Sequence, residues 1–592
     1  KLLIACIAFS ILAPSLNHNL QILRFSAMDD NWWNAMTSTD TPNAGRCWWG
    51  WGLVSEVKKV MVGTPAILPL TVDQAALRLR APRVSLDSLP ANLRSICSDH
   101  PFERLLHSRG RDFVDILENL HGVPDAPTDL VAFPRKEEQI SELLSFCSAE
   151  GIAVVPFGGG SSVVFGVNPP DDVEGYTGTI SVDMLHFDQV LEVDKVSMCA
   201  RVQGGIYGPR LEKQLKSFGF TLRHFPQSFE FSTLGGWIAT RGGGHFATGP
   251  THIDELVQSV RLVTPAGVTE SRRLPASGAG PAEHRLYIGS EGALGIVTEA
   301  WVRLRPIPTV RASATFLFRG KLDDEAFFLG ASAVRQVSQS GLQPANLRLV
   351  YGEEVARLAQ EDGLASTAML LLGFEGADGS GEHIEAQMRK AVQFCLESGG
   401  EIQGADASGP FVRSGGTGER GNLAGRWGSG FMKGGYTFSA AAASGFVLNT
   451  FETAVTWDRF FNGFHTAVLE ATRNAVQKFC GSGTVTCRFT HVYPDGPAPY
   501  YTVLAAGNSK PEDKRVQQWK GVKAAAMEAV MKHGGTSTHH HAVGKLHRGH
   551  YHTELGCLFK GTLEAVKQAH DPAWVMNPGV LLDIQRPKRA RL

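Results

Sequence analysis

A buried strand that breaks into a glycine turn most restricts what this chain can fold into. The apolar residues 152–155 predict a β-strand, which leads directly into Pro156-Phe157-Gly158-Gly159-Gly160-Ser161-Ser162. Glycines let backbone N–H groups approach an anion, and successive N–H groups in such a turn form a concave anion site. The spacing matches neither G-x-G-x-x-G nor G-x-x-x-x-G-K-[ST]. The turn alone is therefore compatible with an ordinary tight turn or with a nucleotide site of another fold.

Length and composition limit the classes of protein that remain. A chain of 592 residues exceeds what one core usually supports, so two or three domains are expected. The formal net charge of −1 provides no general attraction for nucleic acid. The nine cysteines are scattered without a C-x-x-C pair, which favours free thiols and a reducing compartment.

The two ends carry targeting signals of different kinds. Residues 1–13 are apolar behind Lys1, as in a signal peptide or short anchor, although Met28 is the start that we favour. The final Ala590-Arg591-Leu592 is a variant of the Ser-Lys-Leu peroxisomal address. It predicts localisation to a peroxisome or a glycosome-like organelle.

The pattern of apolar runs divides the chain into four parts and predicts an α+β fold. Short β-rich runs separated by glycine turns begin near residue 126, and a second α/β layer that could cap the first begins near residue 309. The predicted parts are a wrapping N-terminal region (1–125), a nucleotide-binding domain (126–308), a cap (309–480) and a C-terminal region (481–592).

Two further glycine- and hydroxyl-rich loops accompany the first turn. One runs from Pro226 through Thr233-Leu234-Gly235-Gly236 to Thr240-Arg241, and the other is Gly289-Ser290-Glu291-Gly292-Ala293-Leu294-Gly295-Ile296. Three such loops within about 140 residues are what wrapping a long dinucleotide requires, with N–H groups for the pyrophosphate and hydroxyls for the sugar. Three unrelated turns are the alternative.

Taken together, these loops resemble the flavin-binding domain of the vanillyl-alcohol oxidase / p-cresol methylhydroxylase superfamily. Within it, the chain resembles the alkyldihydroxyacetone-phosphate synthase family over about residues 100–580. The motifs that carry this resemblance are SFEFSTLGGW (228–237), ANLRL (345–349), FETAVTWD (451–458), CRFTH (487–491) and STHHHAVGKL (537–546).

The superfamily resemblance implies a two-part FAD-binding domain with an α/β cap and helical terminal regions. Many relatives attach the flavin through a histidine in or near the first loop. Residues 156–162 contain none, so non-covalent FAD is predicted. The predicted FAD-binding residues are Pro156, Phe157, Gly158, Gly159, Gly160, Ser161, Ser162, Gln227, Ser228, Ser232, Thr233, Gly235, Gly236, Thr240, Arg241, Glu291, Gly292, Gly295 and Ile296.

Histidines are concentrated near the C-terminus. If residues 537–543 form a strand, His539 and His541 share one face and His540 points to the other. A metal site is a rival interpretation, as is a structural cluster. No recognised ligand spacing is present, so no metal is predicted.

The synthase resemblance assigns catalytic roles to His539, His540, His541 and, by a gap-free count from Cys487, Tyr500. It assigns substrate binding to Arg348, whose guanidinium suits a phosphate, and to Lys545.

One position departs from the family. The family arginine of a Tyr-x-Arg-Asp stretch falls on Phe438, and an aromatic ring cannot donate to a phosphate. Lys433 or Arg426 could substitute, or substrate handling could differ.

The resemblance implies ether-lipid synthesis without net redox change. The acyl group of 1-acyl-dihydroxyacetone phosphate is exchanged for a long-chain fatty alcohol through a flavin N5 adduct. It also implies a homodimer and is compatible with peripheral membrane association. An FAD-dependent D-2-hydroxy acid dehydrogenase and a catalytically silent paralogue are the alternatives.

Overall fold

The computed structural model describes residues 34–61, 66–171, 175–246, 248–321, 323–359, 362–377, 379, 381–403, 412–414, 434–509 and 512–584. The N-terminal apolar run, Met28, Arg426, Lys433 and the last three residues lie outside this set, as does most of the glycine-rich stretch 404–435. None of the described helices is both long enough and apolar enough to cross a membrane.

The first glycine turn lies at the end of a small, mainly parallel sheet. Its strands are β1 (Cys97–Ser98), β2 (Leu130–Ala132), β3 (Ile152–Phe157) and β4 (Gly178–Asp183), in the order β1-β2-β4-β3. Strand β4 runs parallel to both β2 and β3, and all its residues are buried, as expected for a sheet covered on both faces. The crossover helix Glu137–Glu150 ends at Gly151, whose φ of +67° permits the left-handed turn into β3.

An antiparallel sheet carries the other two glycine loops. It contains β5 (Val190–Asp194), β6 (Cys199–Gln203), β8 (Val257–Thr264), β9 (Gly267–Glu270) and β10 (Ile296–Arg303), in the order β5-β6-β10-β8-β9. A short ribbon pairs β7 (Phe220–Thr221) with β11 (Arg305–Pro306). Strand β10 is continuous, although irregular pairing near Val297 and Trp301 shifts its register against β8.

The cap is built on an eight-stranded antiparallel sheet. Seven strands follow the order β15-β12-β14-β13-β18-β19-β17, and β16 pairs with β12. Their bounds are β12 Val310–Arg319, β13 Asn346–Tyr351, β14 Thr367–Gly376, β15 Glu401–Gln403, β16 Val412–Ser414, β17 Phe446–Glu452, β18 Gly483–Val492 and β19 Pro497–Ala506. The predicted boundary between the cap and the C-terminal region, at residue 480, therefore falls inside one sheet, because β18 pairs with β13 and β19 pairs with β17.

Helices cover the cap sheet and frame both domains. The helical stretch that begins at Trp457 is interrupted at Gly463, which has a φ of +109°. The helices besides Glu137–Glu150 are Val54–Val60, Val72–Ala76, Ala91–Arg94, Pro101–Leu106, Phe113–His121, Gly208–Lys216, Leu234–Thr240, Ile253–Leu256, Glu283–Tyr287, Asp323–Gln339, Gly352–Ala359, Glu382–Glu397, Gly434–Ala443, Trp457–Arg459, His465–Cys480, Arg515–Lys532, Arg548–Glu554 and Cys557–His570.

The N-terminal region shares its core with the cap. Trp48 and Trp49 are fully buried in the cluster that also contains Phe451 and Trp519. The α+β architecture is as predicted, and the eight cysteines within the described residues are free thiols.

Candidate active site

The three glycine loops and the cap enclose one large cavity. It contains about 1850 Å³ of empty space, part of it open to solvent. All the predicted FAD-binding residues line it except Arg241. Arg241 ends the helix Leu234–Thr240 and extends outward, where its Nη2 donates to Asp254 at 2.8 Å. Its predicted contact with FAD stays a prediction, because a motif gives a residue's position but not the direction of its side chain.

The first loop is packed so tightly that only glycine fits. A Cβ on Gly159 would lie 1.7 Å from the carbonyl oxygen of Phe231, and one on Gly158 would lie 2.3 Å from the Thr233 hydroxyl. The backbone N–H groups of Gly159, Gly160 and Ser161 have no acceptor among the described residues. Unpaired N–H groups in a close-packed turn fit an anionic group such as a pyrophosphate.

The third loop supports the histidine segment. The buried Glu291 carboxylate accepts the backbone N–H groups of Val543 and Gly544 at 2.9 and 2.8 Å. Burial raises the pKa of Glu291 to about 7. Glu291 also lines the cavity, so this residue joins the loop to the segment that carries the histidines.

The histidine segment is not a strand. Residues 537–543 form a bent loop around the buried carboxylate of Glu452, at the end of β17. The carboxylate accepts the N–H groups of His539, His540 and His541 at 2.5, 3.2 and 2.9 Å. Burial raises the pKa of Glu452, but the His540 and His541 rings and its hydrogen bonds outweigh burial and bring it to about 2. This anion turns three consecutive N–H groups inward, which no extended strand does.

The three histidine rings separate as a result. His540 and His541 line the cavity, whereas His539 lies behind it. His539 Nε2 is 2.8 Å from the Tyr493 hydroxyl and 3.1 Å from His252 Nε2. Burial lowers the pKa of all three imidazoles, that of His541 to about 3. The prediction that His539 reaches substrate is therefore not supported by its position.

Tyr500 reaches the cavity and Tyr501 does not. The two are successive residues of β19, so their side chains point to opposite faces. Tyr501 is buried in the core, where its hydroxyl is 3.2 Å from His465 Nδ1. The Tyr500 ring lies between the Arg488 guanidinium, 4.2 Å from its centroid, and the rings of His540 and His541 at centroid distances of 6.0 and 5.4 Å. Burial raises the pKa of Tyr500.

The two predicted substrate-binding cations have different positions. Arg348 on β13 is buried in the cavity wall, where its Nη2 donates to the carbonyl of His245 at 3.1 Å. Burial lowers its pKa to about 9. Lys545 points elsewhere, and its Nζ donates to the carbonyl of Pro169 at 3.1 Å. It is not among the residues that line the cavity, and its predicted substrate binding stays a prediction.

Sequence reasoning missed two residues of the cavity wall, Arg111 and His491. Phe438, which the resemblance aligns with a family arginine, also lies in this wall. Arg111 belongs to the region interpreted as wrapping, and no motif signals it. His491 is the last residue of the CRFTH motif, but the motif does not predict where its side chain points.

The comparisons with known proteins agree with this geometry. Residues 128–271 match the family described as FAD binding domain, and residues 326–581 match the C-terminal domain of FAD-linked oxidases. The fold superposes on p-cresol methylhydroxylase with a TM-score of 0.63 at 14% identity, covering 88% of this chain and 99% of that chain. The cavity and its unpaired N–H groups fit the cofactor. The chain thus has the fold of the FAD-binding proteins of the p-cresol methylhydroxylase type.

Within that class, the chain is a homologue of the alkyldihydroxyacetonephosphate synthases. It is 29% identical to that enzyme of Trypanosoma brucei brucei over 548 residues, covering 87% of this chain and 83% of the relative. It is 28% identical to the Caenorhabditis elegans enzyme over 514 residues, covering 81% and 80%. A solved alkyldihydroxyacetonephosphate synthase superposes with a TM-score of 0.71 at 21% identity, covering 90% of this chain and 98% of that chain.

Proposed function

We propose that this chain is an alkyldihydroxyacetonephosphate synthase. It exchanges the acyl group of 1-acyl-dihydroxyacetone phosphate for a long-chain fatty alcohol, releasing the fatty acid and forming 1-alkyl-dihydroxyacetone phosphate with no net redox change. The observation that carries this proposal is that Tyr500, His541 and Arg348 all line the FAD cavity, with the first two in ring contact. Likeness to the named synthases over most of the chain supports it.

The cofactor is FAD, held non-covalently. The unpaired N–H groups of Gly159, Gly160 and Ser161 would bind its pyrophosphate, and the Arg111 guanidinium lies in the same wall. FAD, when bound, supplies the electron-accepting ring on which the exchange depends.

Tyr500 and His541 are the groups that we assign to moving the proton at C1 of the substrate. Their rings lie edge to face, with Tyr500 buried and the His541 side chain 17% exposed. The His540 ring lies beside the Tyr500 ring, with an angle of 25° between the planes. A tyrosine and a histidine with neighbouring rings are a suitable pair for general acid–base chemistry.

Arg348 is the group that we assign to the substrate phosphate. Phe438 lines the cavity and supplies no donor, and among the described residues the cations of the wall are Arg111 and Arg348. The Arg111 guanidinium is already engaged, since its Nη1 donates to the carbonyls of Arg109 and Gly110 at 2.9 and 2.7 Å. We therefore assign to Arg348 the phosphate binding for which the family uses the arginine that is absent here.

The test is anaerobic turnover of the purified flavoprotein. We expect ether formation from acyl-dihydroxyacetone phosphate and hexadecanol, and a loss of at least about 100-fold in kcat for Tyr500→Phe, because acid–base groups contribute 10²–10⁴-fold. Tyr551→Phe, outside the cavity, is the matched control. Equal FAD content in both variants shows that folding is retained, and unchanged kcat in Tyr500→Phe would contradict the assignment.

A dehydrogenase of D-2-hydroxy acids is the competing function. It rests on relatives of lower identity, such as a glycolate oxidase subunit of Bacillus subtilis, 26% identical over 482 residues and covering 80% of this chain and 92% of the relative. Anaerobic bleaching of the flavin by D-lactate or 2-hydroxyglutarate, without ether formation, would overturn our proposal in its favour.

We also propose that the chain acts in the peroxisome as a homodimer. The three C-terminal residues and the resemblance to the synthases support this. A fluorescent fusion that loses its punctate distribution when residues 590–592 are deleted would agree with it, and sedimentation would determine the oligomeric state.

A further inference from the structure

Four histidines from three separate elements meet behind the cavity wall. His491 comes from β18, His539 and His540 come from the loop around Glu452, and His252 precedes the helix Ile253–Leu256. For His491, His539 and His540, one ring nitrogen of each lies within 4.8 Å of the others. The Nδ1 atoms of His539 and His540 are 3.1 Å apart. Nitrogens bound tetrahedrally at 2.0–2.1 Å from one ion are separated by about 3.4 Å.

The proton on His491 is placed as it is in a metal ligand. Its Nε2–H donates to the carbonyl of Gly244 at 2.6 Å, so the lone pair is on Nδ1. This buried Nδ1 has no hydrogen-bond partner within the described part of the chain. Metal-ligating histidines characteristically donate their other ring N–H to a carbonyl or carboxylate. The Nδ1 lone pair of His491 is thus buried and unpaired, and the Nε2–H bond fixes its direction. This is the arrangement of a histidine that binds a metal ion.

The second histidine has the same arrangement. When His539 uses Nδ1 as the ligand atom, its Nε2–H is directed to the Tyr493 oxygen at 2.8 Å and to His252 Nε2 at 3.1 Å. His252 accepts that proton because its own Nδ1 donates to the carbonyl of Arg241. With Nδ1 as the ligand atom of His491 and His539, outer partners fix the tautomers of both rings.

The charges around the cluster also suit a cation. The Glu452 carboxylate lies 3.7 Å from His540 Nδ1 and supplies a negative charge beside the site.

We propose that His491, His539 and His540 bind one divalent transition-metal ion of the zinc(II) type at the cavity wall. His491 and His540 themselves line the cavity. Three protein ligands leave a fourth position for water or an anionic substrate oxygen. The chain thereby gains a positive charge in a cavity where Phe438 supplies none. This site does not depend on the proposed synthase activity, and it replaces the expectation of no metal, which considered only spacing along the chain.

Metal content and cobalt spectroscopy test the site on the FAD-loaded protein. We expect about one zinc ion per chain by mass spectrometry, removed by a chelator and restored by titration with zinc chloride. Cobalt(II) should give visible bands of a four- or five-coordinate nitrogen site, resolved from the flavin by difference spectra. His491→Gln should weaken zinc binding by more than about 100-fold, since loss of even an outer partner costs 10–100-fold. The exposed His533→Gln is the matched control.

Each result bears on the proposal. Loss of binding in His491→Gln, with FAD content and thermal unfolding equal to those of His533→Gln, supports it. If His491→Gln fails to fold, the cobalt spectrum of the unmodified protein decides. Substoichiometric zinc, a cobalt spectrum like that of the hydrated ion, or equal affinity in both variants overturns it. The cluster would then be a hydrogen-bonded chain of neutral imidazoles.

Discussion

The Glu452 carboxylate provides the sharpest test of how the active-site loop is held. It accepts four hydrogen bonds, from the Thr538 hydroxyl at 2.6 Å and from three backbone N–H groups of the histidine loop. Glu452→Gln is nearly isosteric but removes the charge and one acceptor. With the amide oxygen in the Oε1 position, the bonds from Thr538, His540 and His541 survive, and the His539 N–H faces an NH₂ group.

The cost follows from these contacts. A hydrogen bond to a charged group contributes about 1.5–3 kcal/mol, and a buried donor left unpaired costs about 1–3 kcal/mol. We expect Glu452→Gln to lower the free energy of unfolding by about 3 kcal/mol, and Glu452→Ala by about 5 kcal/mol because all four bonds are lost. Misplacement of a catalytic group by about 1 Å can cost 10²-fold in rate. Ether formation should therefore fall about 100-fold in Glu452→Gln while FAD remains bound.

Urea unfolding and steady-state turnover measure the two effects. Glu401→Gln is the control: Glu401 lies on the same sheet, but its side chain is 55% exposed and pairs with Arg319 at 2.9 Å. Such a surface pair contributes at most about 1 kcal/mol. If Glu452→Gln shifts stability by no more than Glu401→Gln and keeps its turnover within threefold, the carboxylate does not position the loop.

Three other changes follow from single contacts. Gly159→Ala should purify without the visible absorption of FAD, because its Cβ would meet a carbonyl oxygen at 1.7 Å, whereas Gly278→Ala has open space around it and should retain the cofactor. Lys567→Met should lower stability by about 3–5 kcal/mol in thermal unfolding, because it leaves the buried Asp571, now 2.6 Å from Lys567 Nζ, without its cation; an unchanged unfolding temperature would refute this. Burial raises the pKa of Glu291 from 4.5 to about 7. The protonated side chain therefore contributes fully to the free energy of unfolding below pH 4.5, and this contribution is lost as the pH rises to about 7. The decline in unfolding midpoint over that window should be smaller in Glu291→Gln, and an identical pH profile would contradict the assignment.

The cofactor loops could be predicted from sequence because their function is local. Backbone N–H groups and glycines bind a phosphate through the conformation of a few consecutive residues, so a contiguous motif is sufficient. The first loop shows this directly, since Gly158 and Gly159 allow contact with the second loop. The resemblance likewise located Tyr500, because alternation along β19 separates it from Tyr501.

Residues whose role depends on where the side chain points could not be predicted in the same way. Lys545 and Arg241 lie in matching motifs, yet each side chain bonds to a neighbour away from the cavity. The position of His539 behind the cavity has one cause, the Glu452 carboxylate. Residues 537–543 have the local pattern of a strand, but this buried anion, many residues away in the chain, bends them into a loop. The position of the anion depends in turn on the register of β17 against β19.

Two carboxylates from different domains hold the histidine loop. Glu452 at the end of the cap strand β17 binds the N–H groups of residues 539–541, and Glu291 in the third cofactor loop binds those of Val543 and Gly544. Five backbone donors within six residues are thus fixed from both sides. Because neither domain supplies both carboxylates, the geometry of His540 and His541 requires the cap docked on the FAD-binding domain. Loss of either carboxylate should therefore loosen the same loop, and the double variant should cost less than the sum of the single ones, since the residues share one structural element.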